Sequence, residues 1–200
     1  MKKTLLFFAL CFLLTGWVGA QEIRASSLEG CWIWNGRGEE PWFGEEIVFF
    51  GNVILMKEQN DNEYFGGIFT MDSRSINIWD EEEVLNYRLS GNTLTLTDSE
   101  DSSETGTYTK ARPIANPLEG IWKTTRDARY NYYPDYTFYL LFTRNIMAVW
   151  EEDDDEWLGL VFSFSKDVII IDDSRLNYSV SGRTLTITDD GETMVFTKIY

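Results

Sequence analysis

The stretch "SLEGCW" at Ser27–Trp32 returns almost unchanged as "PLEGIW" at Pro117–Trp122, 90 residues farther along the chain. Two other phrases recur behind it in the same order. They are "LNYRLSGNTLTLTD" (Leu85–Asp98) with "LNYSVSGRTLTITD" (Leu176–Asp189), and "TYTKA" (Thr107–Ala111) with "VFTKI" (Val195–Ile199).

The three pairs of phrases are separated by 90, 91 and 88 residues. Ordered anchors at a nearly constant offset are the signature of an internal repeat. The sequence therefore predicts a tandem duplication with one unit at Ser27–Ala111 and a second at Pro117–Tyr200. A short linker, Arg112–Asn116, would hold the two units close together.

Each unit has the pattern of a β-protein. Short runs of β-branched and aromatic residues alternate with turn clusters, and sustained helical periodicity is absent. The first unit gives eight runs, of which the last two are Thr93–Thr97 and Glu104–Lys110. The predicted strands of the second unit are Leu118–Thr124, Tyr136–Thr143, Ile146–Glu151, Trp157–Ser165, Val168–Asp172, Leu176–Ser181, Thr184–Thr188 and Glu192–Lys198.

Eight short antiparallel strands joined by hairpins leave two exposed edges unless the sheet closes on itself. We therefore predict an all-β fold of two small, antiparallel, up-and-down eight-stranded β-barrels in tandem. A pair of β-sandwiches is the alternative. A sixteen-stranded outer-membrane barrel fits less well, because its strands need about 9–11 residues and a lipid-facing apolar band.

Alternation along the first strand of each unit places glycine and tryptophan on one face. Gly30 and Trp32 share that face in the first unit, and so do Gly120 and Trp122 in the second. In the last strand, the inward aromatic residue shares its face with Lys110 or Lys198. Because the last strand of a closed barrel pairs with the first, we expect each lysine to cover its tryptophan in a cation–π contact. These six residues are predicted to close the barrels.

The Gly-x-Trp of the first strand, the basic residue late in the last strand and the phrase "Tyr-x-x-Ser-Gly-x-Thr-Leu-Thr" resemble the lipocalins and the wider calycin group, in particular short lipocalin-like domains of exported bacterial proteins. The resemblance covers both units. It implies a meander barrel that binds a small hydrophobic or amphipathic ligand at its open end. The units are shorter than typical lipocalins, and lysine replaces the usual arginine.

The first twenty residues have the three regions of a secretory signal peptide. Lys2 and Lys3 precede an apolar run, and cleavage is expected after Ala20. With those lysines removed, 15 basic residues face 33 acidic ones, for a net charge of −18. Such a chain repels nucleic acid and anionic lipid. We predict an exported, periplasmic or secreted protein with no membrane span after cleavage.

The chain has no histidine and, after cleavage, one cysteine, Cys31. Histidine-dependent catalysis and an intrachain disulfide are therefore excluded. Cys31 corresponds to Ile121 in the second unit, which favours a small apolar role. No motif selects a catalytic pair among the many carboxylates. The sequence predicts a protein that is not an enzyme and has no cofactor.

The loops that follow the two tryptophans differ between the units and are rich in aromatic residues. Exposed aromatic side chains are favoured at recognition sites. We predict a ligand-binding surface at Trp42 and Phe43 in the first unit, and at Tyr130, Tyr132 and Tyr133 in the second. These rings could equally cap the barrels.

Acidic loops offer a further candidate site. Asp153, Asp154 and Asp155 could supply oxygen ligands to calcium. No EF-hand spacing is present, which favours a solvated loop that keeps the barrel soluble.

Two functions remain open from the sequence. The first is an exported binding protein for a small hydrophobic or amphipathic ligand. The alternative is a structural or protein-interaction module of the periplasm or cell surface, whose barrels are filled by their own side chains and hold no ligand.

Overall fold

The computed structural model describes residues 27–36, 41, 43–58, 61–78, 83–125, 137–152, 154 and 156–200. All regular structure in these ranges is β-strand. Within the same ranges, no helix has the length and apolar character needed to cross a membrane.

The first eight strands close into an antiparallel barrel. Each strand pairs with the next along the chain, and β1 also pairs with β8, with Trp32 opposite Lys110. The strands are β1 (Gly30–Trp34), β2 (Glu46–Phe50), β3 (Val53–Lys57), β4 (Glu63–Met71), β5 (Ser75–Ile78), β6 (Glu83–Ser90), β7 (Thr93–Asp98) and β8 (Thr105–Lys110).

The remaining strands form a second ring in which β9 pairs with both β10 and β17. One of its strands is interrupted at Phe162, whose N–H donates to the carbonyl of Asn145. The strands are β9 (Gly120–Thr124), β10 (Phe138–Thr143), β11 (Ile146–Glu151), β12 (Trp157–Val161), β13 (Ser163–Phe164), β14 (Val168–Ile171), β15 (Ser174–Ser181), β16 (Thr184–Asp189) and β17 (Glu192–Lys198).

The all-β, closed antiparallel eight-stranded barrel expected from the sequence is confirmed. The strand bounds agree within two residues at most ends, because turn residues mark them. Arg144-Asn145 and Gly182-Arg183 are two-residue connections, and both Arg144 and Gly182 have positive φ. One prediction was wrong: Trp157–Ser165 is two strands, β12 and β13, rather than one.

Each barrel has an interior filled with apolar side chains. Trp32, Phe49 and Tyr108 are the largest in the first interior. Trp122 and Phe142 take the corresponding role in the second. These side chains come from alternate positions of their strands, as expected for a closed sheet with one buried face.

A third core lies between the barrels. It contains outward-facing residues of the first barrel, among them Cys31, Val48 and Leu55, and residues of the second such as Ile121 and Leu141. Alternation alone assigned these positions to the outside of a barrel. They are buried because the two outer surfaces pack against each other.

The barrels also share hydrogen-bonded strands, since β4 pairs with β12. In this junction Tyr64 lies opposite Gly159, and Trp157 lies opposite Gly66. Tyr64-x-Gly66 in β4 corresponds to Trp157-x-Gly159 in β12. Each aromatic residue thus faces the glycine of the other barrel.

Strand direction gives the first barrel two unlike ends. The short connections β2–β3, β4–β5 and β6–β7 lie at the end where β1 begins, beside Lys110. We call this the lysine end. The longer connections β1–β2, β3–β4, β5–β6 and β7–β8 lie at the other end, which we call the loop end.

Candidate ligand-binding site

The lysine end of the first barrel is covered by side chains. Trp32 is 0% exposed and its indole N–H donates to the carbonyl of Leu28 at 2.7 Å. The amine of Lys110 lies 5.2 Å from the centroid of that ring. A Cβ on Gly30, whose φ is +119°, would lie 2.9 Å from Cε of Lys110. Only glycine combines this backbone conformation with the close approach of the lysine.

The second barrel repeats this arrangement. The indole N–H of Trp122 donates to the carbonyl of Leu118 at 2.7 Å, and the amine of Lys198 lies 5.4 Å from the ring centroid. That amine also donates to the carbonyl of Glu119. Gly120 has a φ of +143°. Because the same contacts recur in both barrels, this end is a common structural device rather than a specific site.

Replacing Lys110 with methionine is expected to lower the free energy of unfolding by about 0.5–1 kcal/mol, the range for an exposed cation over an aromatic ring. The loss should shrink at high salt, because screening weakens the electrostatic attraction. Urea unfolding followed by circular dichroism measures it. Lys166→Met in an exposed turn is the control, and an equal loss there would contradict the assignment.

The loop end is where the barrels differ. In the first barrel the chain leaving β1 crosses the indole of Trp34, since a Cβ on Gly36 would lie 1.8 Å from that ring. Phe43 is 6% exposed and belongs to the first interior. This supports the capping alternative for Phe43, and its part in binding stays a prediction. Trp42, Tyr130, Tyr132 and Tyr133 lie outside the described residues.

Beneath this end, Tyr108 projects from β8 into the first barrel. It is 0% exposed and lies between Trp34 of β1 and Leu94 of β7 in the strand register. A Cβ on Gly106 would lie 2.7 Å from Cε2 of the ring and 2.9 Å from its hydroxyl. Gly106 is two residues nearer the loop end, so the ring leans over it and the hydroxyl points toward the loops.

The Tyr108 hydroxyl is buried and has no hydrogen-bond partner among the described residues. Burial raises its pKa well above the ordinary tyrosine value, so the group is neutral. An unpaired buried hydroxyl costs about 1–3 kcal/mol. Three other buried polar side-chain atoms of the described residues lack partners: those of Asn52 and Arg144, in hairpin turns, and of Trp157, in the core between the barrels. Tyr108 alone among the four projects into a barrel interior.

The second barrel has apolar residues at the corresponding positions. Phe196 replaces Tyr108, and Met194 replaces Gly106. The ring of Phe196 packs edge-on against Phe138 at 5.5 Å. The second barrel therefore has neither the hydroxyl nor the glycine over which the Tyr108 ring lies.

Among the described residues of the segments that connect strands at the loop end of the first barrel, within 35–45, 58–62 and 99–104, six are acidic and none is basic. The three connections at the lysine end carry one of each. The approach to Tyr108 is thus strongly negative. Glu45 at this rim is paired with Lys57, which removes one of the charges.

Cys31 lies between the barrels, where its thiol donates to the Glu46 carboxylate at 3.1 Å. Burial, followed by the charge of Glu46, raises the pKa of the thiol far above its usual value. The reactive form of cysteine is the thiolate. The surroundings of Cys31 therefore favour the inert, apolar role expected from its match with Ile121.

The acidic loop of the second barrel gives little support for calcium. Asp154 uses backbone atoms: its N–H donates to Glu151, and its carbonyl accepts from the indole of Trp150. Asp153 and Asp155 lie outside the described residues. Within the described part of the chain, no group of three or more metal-ligating side chains is arranged to hold an ion.

An open groove of about 560 Å³ runs beside the β12–β13 interruption. Its lining includes the apolar residues Phe162, Phe164 and Ile170 together with Asp172. Phe162 itself is buried against Phe142. The groove is open to solvent, and its lining also includes the polar residues Asn145 and Ser163.

Sequence reasoning missed the pair Tyr108 and Gly106. The available signal was the difference between two matching stretches of sequence, "GTYTK" at 106–110 and "MVFTK" at 194–198. It also missed the junction, although Tyr64-x-Gly66 and Trp157-x-Gly159 repeat at equivalent positions.

No protein-family model matches the chain, and no curated protein does. Among solved structures, the β subunit of DNA polymerase III from Pseudomonas aeruginosa is 11% identical, and the alignment covers 77% of this chain and 56% of that one. The TM-score is 0.22, which is too low to establish a common fold.

Proposed function

We propose that this chain is an exported, non-enzymatic binding protein whose first barrel takes one small, mainly apolar ligand at its loop end. The observation that carries the proposal is the neutral, unpartnered hydroxyl of Tyr108, 0% exposed and directed over Gly106 toward the loops. A ligand atom that pairs with this hydroxyl removes its desolvation cost.

The repeated phrases, the equivalent tryptophan–lysine contacts and the residues that correspond in β4 and β12 support a duplicated, lipocalin-like barrel as the framework. On this proposal the copies have diverged. The first keeps the Tyr108 hydroxyl in its interior as the group that a ligand would pair with, and the second has Phe196 at that position. The apolar run before Ala20 supports export.

Binding can be tested with N-phenyl-1-naphthylamine, a neutral probe that fluoresces in apolar surroundings. We expect saturable binding of one probe per chain by the protein lacking residues 1–20. Gly106→Met, which introduces the residue of the second barrel, should weaken binding at least tenfold because its side chain would collide with the Tyr108 ring and displace the hydroxyl.

Thr107→Met is the matched control, because this residue is on the exposed face of the same strand. It should bind the probe like the parent protein. Circular dichroism spectra establish that both variants are folded. Failure of the parent protein to bind the probe would contradict the proposal, as would equal binding by the Gly106 variant.

The second candidate is a structural or protein-interaction module with no small ligand. The solid packing of both interiors favours it, since Trp32 and Trp122 are almost fully buried together with most of their neighbours. Absence of probe binding to the folded parent protein is the result expected from this candidate.

A further inference from the structure

The chemistry around Tyr108 restricts the ligand, and the restriction rests on the function proposed above. Tyr108 offers one neutral hydroxyl, which can donate one hydrogen bond and accept others. Its immediate neighbours in the strand register, Trp34 and Leu94, are apolar on this face. The site therefore suits a ligand that is apolar apart from a single polar atom.

A charged head group is energetically unfavourable at the depth of the Tyr108 hydroxyl. An ionised group that leaves water needs a partner of opposite charge. The nearest inward cation along β8 is Lys110, two residues farther from the loop end, and its amine is over the ring of Trp32. A carboxylate at Tyr108 would have to displace that contact or remain unpaired.

The acidic loop end also disfavours ligands with a negative charge. The described residues of its connecting segments include six acidic residues and no basic residue. A rim of one sign lowers the local concentration of ligands of that sign. Anionic amphiphiles are therefore disfavoured both on approach and at the hydroxyl.

We infer that the first barrel selects neutral amphiphiles, held by a hydrogen bond between the Tyr108 hydroxyl and an uncharged oxygen of the ligand, and discriminates against fatty-acid anions. The second barrel, with Phe196 and Met194 in the equivalent positions, takes no ligand of this class. The stoichiometry is one per chain.

The test compares 1-decanol with decanoate at pH 8, each displacing N-phenyl-1-naphthylamine from the protein lacking residues 1–20. We expect decanol to bind at least tenfold more tightly. Raising NaCl from 0.05 to 0.5 M should reduce the difference in affinity between decanol and decanoate, because salt screens the charge of the acidic rim.

Tyr108→Phe should weaken decanol binding roughly fivefold, the effect of one ordinary hydrogen bond. The fold tolerates phenylalanine here, as Phe196 shows in the second barrel. Tyr87→Phe is the control, because the Tyr87 hydroxyl donates to the carbonyl of Asp72 at the lysine end.

The outcomes separate the inference from the proposed function. Decanoate binding as tightly as decanol, or an unchanged decanol affinity in the Tyr108 variant, would overturn the inference while leaving a binding barrel. An unchanged decanol affinity in Tyr108→Phe would indicate that the hydroxyl pairs with a buried water molecule instead of the ligand. If neither the probe nor decanol binds, the proposed function fails with it.

Discussion

Trp32→Ala is expected to lower the free energy of unfolding by about 3–5 kcal/mol, the usual cost of truncating a fully buried tryptophan. The substitution leaves a large cavity at the lysine end of the first barrel. It also removes the indole N–H that donates to Leu28 and the ring that Lys110 covers. Urea unfolding followed by far-UV circular dichroism measures the loss without depending on tryptophan fluorescence.

Ile33→Ala is the matched control for this variant. Ile33 is the next residue of the same strand, but it points outward and is 45% exposed. Its truncation should cost less than about 1 kcal/mol, because surface substitutions have small effects. Similar losses for Trp32 and Ile33 would show that the indole does not hold the end of the barrel together.

The contact between Lys110 and Trp32 was predictable because it depends on local pattern and on closure alone. Alternation places both side chains inside the barrel. Pairing of the first and last strands then brings them together, and the structure has them directly opposite in register. The same argument gave Lys198 and Trp122. Where a feature follows from period-two alternation and strand order, the sequence is sufficient.

The core between the barrels shows where this reasoning stops. Alternation assigns Cys31 and Val48 to the outside of a barrel, and nothing local says that a second barrel will cover that outside. Cys31 is nevertheless only 2% exposed. Burial there is decided by how two closed surfaces pack, which involves residues about 90 positions apart in sequence.

Tyr108 could be placed inside the barrel from its strand position, but its role could not. What distinguishes it is that its hydroxyl has no partner within the described part of the chain, and this depends on every side chain around it. The comparison with Phe196 identifies the position, while the three-dimensional structure supplies the reason. Phe43 shows the opposite. Its sequence context placed it on a loop that could bind a ligand, whereas the structure buries its ring in the interior of the first barrel.

Gly66→Ala is expected to cost about 3 kcal/mol or more, at or above the upper end of the usual range for adding a methyl group to a packed structure. The added Cβ would lie 1.9 Å from the carbonyl oxygen of Ile54. This obstacle is backbone, and β3 and β4 must separate to relieve it. Gly159→Ala should cost less, because its Cβ would meet Cβ of Tyr64 at 2.9 Å.

Gly91→Ala separates this clash from the general effect of replacing a glycine. Gly91 has a φ of +58° and open space around its Cα, so alanine there has only the conformational cost of about 1–2 kcal/mol. It lies in a hairpin of the first barrel, away from the β4–β12 junction. Urea unfolding should therefore rank Gly66→Ala above Gly91→Ala.

The Cys31 thiol reports whether the cost at Gly66 arises where the barrels meet. The thiol is buried in the core between them, and its raised pKa keeps it protonated, so a disulfide reagent should label it slowly at pH 8. Separation of β3 and β4 disturbs the residues that cover it, such as Leu55. Labelling should accelerate in Gly66→Ala at urea concentrations where the barrels are still folded, and remain slow in Gly91→Ala. Equal acceleration in both variants would mean that the thiol is exposed by general unfolding. Gly66 and Gly159 would then be needed for the packing of strands within each barrel rather than for the contact between the two barrels.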